Sequence, residues 1–265
     1  MAHWLIQRGF DSDRQYLKLI EALGRMQIPH SFCTVIPFSD CDEGIKLESP
    51  VPENGNIYCY GSYSLSKHAV RRGYFPGAFI SDNSSIDNLI KHYGHNMLNY
   101  DSVIVNFGCP DELIPETPMF FIKPNEDTKA FTAEILTRDA FFVFKHKVLQ
   151  IGDDFSTVTK DTKVVIASPK EISAEYRFFV VDGEVITQSL YKSGGTVYYS
   201  PMVDEYIIEF AQKMVDTYQP DRAFVLDVAI TPEGLKVIEV NSINSSGMYA
   251  IDVQKMIFAI EEMLP

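Results

Sequence analysis

No apolar run in this chain approaches the roughly 20 residues that a bilayer-spanning helix needs. The opening MAHWLIQRGFDSDR also lacks a basic region followed by an apolar core. We therefore expect no membrane partner and no secretory leader. Basic residues are in deficit: 23 Lys and Arg stand against 36 Asp and Glu, a formal charge of −13. Such a balance opposes nonspecific binding to nucleic acid or anionic lipid, while leaving room for a local basic pocket for phosphates. The four cysteines (Cys33, Cys41, Cys59 and Cys109) show no C-x-x-C spacing, so reduced thiols in a cytoplasmic protein fit better than a disulfide framework or a zinc site. There is no internal repeat and no low-complexity tract. What the chain does have is 265 residues and 46% hydrophobic content, enough for one large domain or two to three small ones with real cores.

The first hundred residues alternate between strand-like and helix-like patterns. WLIQ, HSFCTVIPF and NIYCYG read as strands. DRQYLKLIEALGRM carries apolar residues at helical spacing (Tyr16, Leu17, Ile20, Leu23), with Asp11 or Ser12 as cap. SDCDEGIKLESPVPENGN reads as a loop, SYSLSKHAVRRG and SSIDNLIKHYGHNML as helices, GAFIS and DSVIVNF as short strands. Such alternation predicts a small α/β unit with a partly parallel sheet. CPDELIPETP, with three prolines, marks a boundary that divides the chain into residues 1–112 and 113–265. Beyond it, MFFIKP, TAEIL and KVVIAS read as strands, and TRDAFFVFKHKVLQ as a helix or a helix–strand mix. EYRFFVVDGEVITQSLYK reads as a hairpin on its Asp-Gly turn. With DEYIIEFAQKMVDTY and AIDVQKMIFAIEEML as helices, this half predicts an α+β domain with antiparallel sheets.

FVLDVAITPEGLKVIEVN is the stretch with the clearest chemistry. Pro232 suits a type I turn, and Gly234 suits the left-handed position of a three-residue hairpin loop. In that register Thr231 opposes Leu235, Asp227 opposes Glu239, and Val225 opposes Asn241. Like charges facing each other destabilise a sheet, and a divalent cation held by Asp, Glu and Asn oxygens would compensate. The alternative is an exposed face whose carboxylates sit in water. A two-residue loop would instead turn Glu239 to the other face.

Basic residues sit where phosphates would need them. Lys123 ends an apolar strand just before Pro124, and Lys129 follows in the polar loop NEDTKAF. Each could equally be a solvated lysine. Arg177, on the hairpin, opposes Gln188 if Asp182-Gly183 is the loop. It then shares a face with Phe179, Val181, Ile186 and, further along, Lys192. An arginine on an apolar face needs an anion, either a phosphate or a carboxylate such as Glu184 or Glu175. The break after KVVIAS, at Ile166, Ala167 and Ser168, would expose backbone groups able to read a purine edge.

The order of these pieces resembles an ATP-grasp domain: FIKP, VVIASP, EYRFF, then LDVAI and LKVIEVN. KPNEDTKAFTAE and AEYRFFV look like a phage- and bacteria-associated ATP-grasp clade named for one arginine and two lysines. YGSYSL, YFPGAF and HNMLNYDS look like that clade's N-terminal domain. The resemblance implies an α/β N-terminal domain followed by an α+β ATP-grasp domain, and an ATP-dependent carboxylate–amine ligase working through an acyl phosphate. It implies that Lys123 and Lys129 contact ATP phosphates, with Lys192 close by, and that Ile166, Ala167 and Ser168 hold adenine. Arg177 would steady the γ-phosphate or acyl phosphate, with Lys129 its catalytic companion. Asp227, Glu239 and Asn241 would hold magnesium. Asn244, Ser245 and Ser246 would line the acceptor site, or simply cap the last helix. The expected partners are ATP, a carboxylate and an amine acceptor on a small molecule, peptide or protein. An ATP-grasp kinase acting on a hydroxyl and a non-catalytic ATP-binding module are the alternatives.

Overall fold

The computed structural model describes residues 1–9, 14–36, 42–81, 83–126, 131–151 and 158–264. The helix cap expected at Asp11 or Ser12, and Cys41, lie outside them. By Cα proximity the chain forms two compact units, Met1–Ser81 with Ala174–Val228 and Val240–Pro265, and Asp82–Ser173 with Ala229–Glu239.

The first unit opens with β1 (His3–Gln7), α1 (Arg14–Arg25), β2 (His30–Val35), β3 (Ile45–Leu47), β4 (Ile57–Tyr60), α2 (Tyr63–Arg72) and β5 (Pro76–Gly77). They build a five-stranded sheet in the order β3-β2-β1-β4-β5. All its pairings are parallel except that of β2 with β3. Alternation along β1 separates two cores. Trp4 and Ile6 pack with Tyr16, Leu19 and Leu23 of α1, whereas Leu5 packs with Cys33, Cys59, Leu65 and Ala69. α2 stops at Gly73, whose φ of 65° is left-handed and lets its N–H close on helix carbonyls. β3 was expected to be loop. It is a three-residue strand in a turn-rich stretch, too short to show a period.

The second unit carries α3 (Ile86–Tyr93), β6 (Val103–Asn106), β7 (Met119–Pro124), β8 (Glu134–Thr137), α4 (Arg138–Ile151) and β9 (Lys163–Ala167). Its antiparallel sheet runs β6-β9-β7-β8. Phe120, Ile122, Val164 and Ile166 meet Phe141 and Val148 of α4 in the core. β7 ends one residue later than expected, on Pro124 rather than Lys123, because Pro124 still pairs with Val164.

The remaining elements are β10 (Ala174–Val181), β11 (Glu184–Ser193), β12 (Thr196–Ser200), α5 (Glu205–Thr217), β13 (Ala223–Thr231), β14 (Gly234–Ser242) and α6 (Val253–Glu262). Their sheet runs β12-β11-β10-β13-β14. Asp182 and Gly183, both with positive φ, make the β10–β11 turn that the Asp-Gly pair announces. The register differs from expectation. An irregularity between Phe179 and Val180 shifts the pairing by one residue, so Arg177 opposes Ser189 rather than Gln188, and a second between Glu175 and Tyr176 shifts it again beyond Arg177. α6 starts at Asp252, whose carboxylate accepts from the N–H groups of Gln254 and Lys255. Among the described residues no helix is long and apolar enough to cross a membrane.

Candidate active site

Arg177 on β10 and Asp227 on β13 are both buried, at 8% and 1% exposure. Each lies on a strand whose neighbours are almost all apolar, so neither charge could stay there alone. They satisfy each other through a forked contact: Nε donates to Oδ1 at 2.9 Å and Nη2 to Oδ2 at 2.7 Å. Nη1 reaches the Gly247 carbonyl at 3.3 Å, and Asn241 Nδ2 donates to Asp227 Oδ2 at 3.2 Å. Burial works against the charge on Arg177. The Asp227 carboxylate, by charge and hydrogen bond, more than offsets it and holds the guanidinium above its usual range.

Two tyrosines close over this pair. The Arg177 guanidinium lies 4.9 Å from the Tyr249 ring centre and 5.5 Å from that of Tyr191. The Tyr249 ring stacks on Tyr191 and on Tyr199, both at 5.0 Å. Burial first, and then the Asp227 and Glu175 charges, push the Tyr191 phenol well up, so it stays a donor. It donates to Glu175 Oε2 at 2.7 Å, and Lys192 Nζ takes Glu175 Oε1 at 2.8 Å. Lys192 is thus spent on Glu175 rather than on the Arg177 face. The shifted register puts Tyr191, not Lys192, over the arginine.

In the second unit, Lys123 sits on the face of β7 opposite the core residues Phe120 and Ile122, and its Nζ donates to Glu239 Oε2. Ile166 and Ala167 are buried in β9. Ile166 is paired on both sides, with Val103 and Ile122, and Ala167 with Phe121. Ser168 is the first residue past the strand and is exposed. Lys129 lies outside the described residues. The structure therefore brings together Arg177, Asp227 and Asn241 in one cluster and Lys123 with Glu239 in another. Asn244 is fully buried with its amide spent on both backbone groups of Phe79, a tether rather than an open site lining. The cap of α6 is Asp252, so the Asn244–Ser246 stretch does not serve that role either.

Sequence reasoning missed Tyr191 and Tyr249, and it offered Glu175 or Glu184 as the partner of Arg177, whereas Arg177 takes Asp227 and Glu175 is held by Tyr191 and Lys192. Tyr191 was hidden by the one-residue shift, and Tyr249 by its place in the aperiodic loop SINSSGMYA.

Folds of this kind recur among solved structures. A RimK-domain ATP-grasp protein from Sphaerobacter thermophilus matches with a TM-score of 0.65 and 12% identity, over 97% of this chain and 98% of that one. A D-cycloserine synthetase matches at 0.61 and 12%, over all of both chains. An ATP complex of the D-alanine–D-alanine ligase from Bacillus anthracis matches at 0.59 and 14%, over 98% and 96%. The architecture is the ATP-grasp fold. More narrowly, residues 109–258, over half the chain, match the ATP-grasp domain of family 2 in the clade named for one arginine and two lysines, and the chain belongs to that family. No curated protein matches it.

Proposed function

We propose that this chain is an ATP-dependent carboxylate–amine ligase: ATP phosphorylates a substrate carboxylate, and an amine displaces phosphate from the acyl phosphate to give an amide. The observation that carries this reading is the pairing of two hairpin carboxylates with two chain cations, Asp227 with Arg177 and Glu239 with Lys123. Phosphoryl transfer depends on positioned cations and anions of this kind. Lys123, Arg177 and the loop residue Lys129 would hold phosphates, with Lys192 released from Glu175 to join them. The segment Ile166, Ala167 and Ser168 would hold adenine.

The donor chemistry suits magnesium. Asp227, Glu239 and Asn241 offer oxygen ligands, which hard divalent cations prefer, and both carboxylates already have a positive partner. When bound, magnesium would neutralise charge on the transferring phosphoryl group. Among the described residues no cluster of three or more His, Cys, Asp or Glu side chains is arranged for a metal. The site would therefore rely on Asn241 as its third protein ligand. The division at residues 112 and 113, which the start of the family match at residue 109 supports, belongs to the same proposal. So do the cytoplasmic location and the phage association.

The test is ADP release across carboxylate and amine libraries, with mass spectrometry of the product and ¹⁸O-labelled carboxylates. A ligase of this type needs both substrates and passes ¹⁸O from carboxylate to phosphate. A kinase would release ADP with a hydroxyl compound alone, and a non-catalytic module would release none. Either result would overturn the proposal.

A further inference from the structure

β12 is the outer strand of its sheet, and its side chains face outward to an unusual degree. Val197, Tyr198 and Tyr199 are 65%, 59% and 50% exposed. An edge strand offers a row of backbone N–H and C=O groups to anything extended that lies beside it. Folded proteins commonly guard such edges with lysine, proline or other charge on the strand. Thr196–Ser200 carries none of these. The irregularity in its pairing with β11, between Leu190 and Lys192, sets Tyr198 and Tyr199 both against Tyr191. The Tyr199 ring is carried onto Tyr249, which lies over Arg177. Among the described residues this edge is unpaired, and it is continuous, ring upon ring, with the Arg177–Asp227 cluster.

The row of main-chain groups calls for another polypeptide, because lipid or nucleic acid does not pair with a strand edge. Charge decides which polypeptide. The segment leaving β12 enters α5 through exposed Asp204 and Glu205, and the chain as a whole is at −13. A second copy would bring like charge to this edge, whereas a lysine-bearing peptide complements it. We propose that β12 docks an extended basic peptide by strand addition, as the peptide substrate of the ligase proposed above. The inference rests on that reading.

The probe is a fluorescein-labelled peptide alternating lysine and valine, followed by anisotropy with the full chain. Comparators are a glutamate–valine peptide and the lysine–valine peptide N-methylated along one edge. The lysine–valine peptide should bind at least about tenfold tighter than either comparator. Tyr198→Lys should weaken it by about tenfold while leaving the melting shift with MgATP as in wild type. Thr196→Lys is the second variant should Tyr198→Lys not fold. Equal binding of the N-methylated peptide, unchanged binding in both variants, or no binding at millimolar peptide would overturn the proposal. So would a concentration-dependent dimer that Tyr198→Lys dissolves, which would assign the edge to a second copy. Loss of the MgATP shift in wild type would instead strike the ligase reading. A normal shift with failed peptide results strikes only the docking edge.

Discussion

Asp227 is the residue whose surroundings say most, because a carboxylate at 1% exposure survives only with a cation beside it. Arg177 is that cation here, and a buried pair loses about 3–5 kcal/mol when one partner is removed. Arg177→Ala should therefore destabilise the protein by about that amount in urea unfolding. The double variant with Asp227→Ala should cost clearly less than the sum of the single changes. If Asp227 also accepts a divalent cation, magnesium should raise the melting temperature of Arg177→Ala more than that of wild type. Equal shifts would argue against a metal role for Asp227. Asp87 supplies the acid response. Burial raises its pKa, but hydrogen bonds from Ser85, Asn125 and Lys163 outweigh this and bring it down from 3.8 to about 2. A depressed carboxylate stabilises the fold above its unfolded pKa and loses that contribution as pH falls through the folded value. Asp87→Asn should thus flatten the loss of stability between pH 3.8 and about 2, read from urea midpoints along a pH series.

At the scale of elements, both strands of the hairpin β13–β14 were legible from strict alternation, while the turn differs from the expected three-residue loop: only Pro232 and Glu233 separate the strands, and Gly234 begins β14. Gly234 has φ +101°, and a Cβ built there would meet nothing within 4 Å. Any cost of Gly234→Val is therefore backbone strain, expected at roughly 1–2 kcal/mol in urea unfolding. A neutral substitution would mean that the turn relaxes freely. The β10–β11 hairpin was legible at its Asp-Gly turn and illegible beyond it. A bulge leaves no mark in hydrophobic periodicity, yet one extra residue decides whether Lys192 or Tyr191 covers Arg177. The short strands β3 and β12 went unread for a related reason. They are brief, exposed and set among turn residues, so no alternation accumulates.

For the whole molecule, the sequence carried fold class and family because the order of the segments FIKP, VVIASP, EYRFF, LDVAI and LKVIEVN is linear information. It did not carry the partners of its charges. Lys123 and Glu239 lie 116 residues apart, and Arg177 and Asp227 lie 50 apart; only the folded chain pairs them. Nor could periodicity say that Val103–Asn106 pairs with β9. Strand patterns define faces, while sheet partners depend on the rest of the chain. The central claim is that this chain binds ATP with a divalent cation at a site built for phosphoryl transfer. Its most direct measurement is thermal unfolding with and without millimolar ATP and magnesium. Ligand at about 100 times its dissociation constant, bound by the native state alone, adds roughly 2.7 kcal/mol, so the melting temperature should rise by several degrees. A folded sample whose melting curve does not move under those conditions would contradict the account.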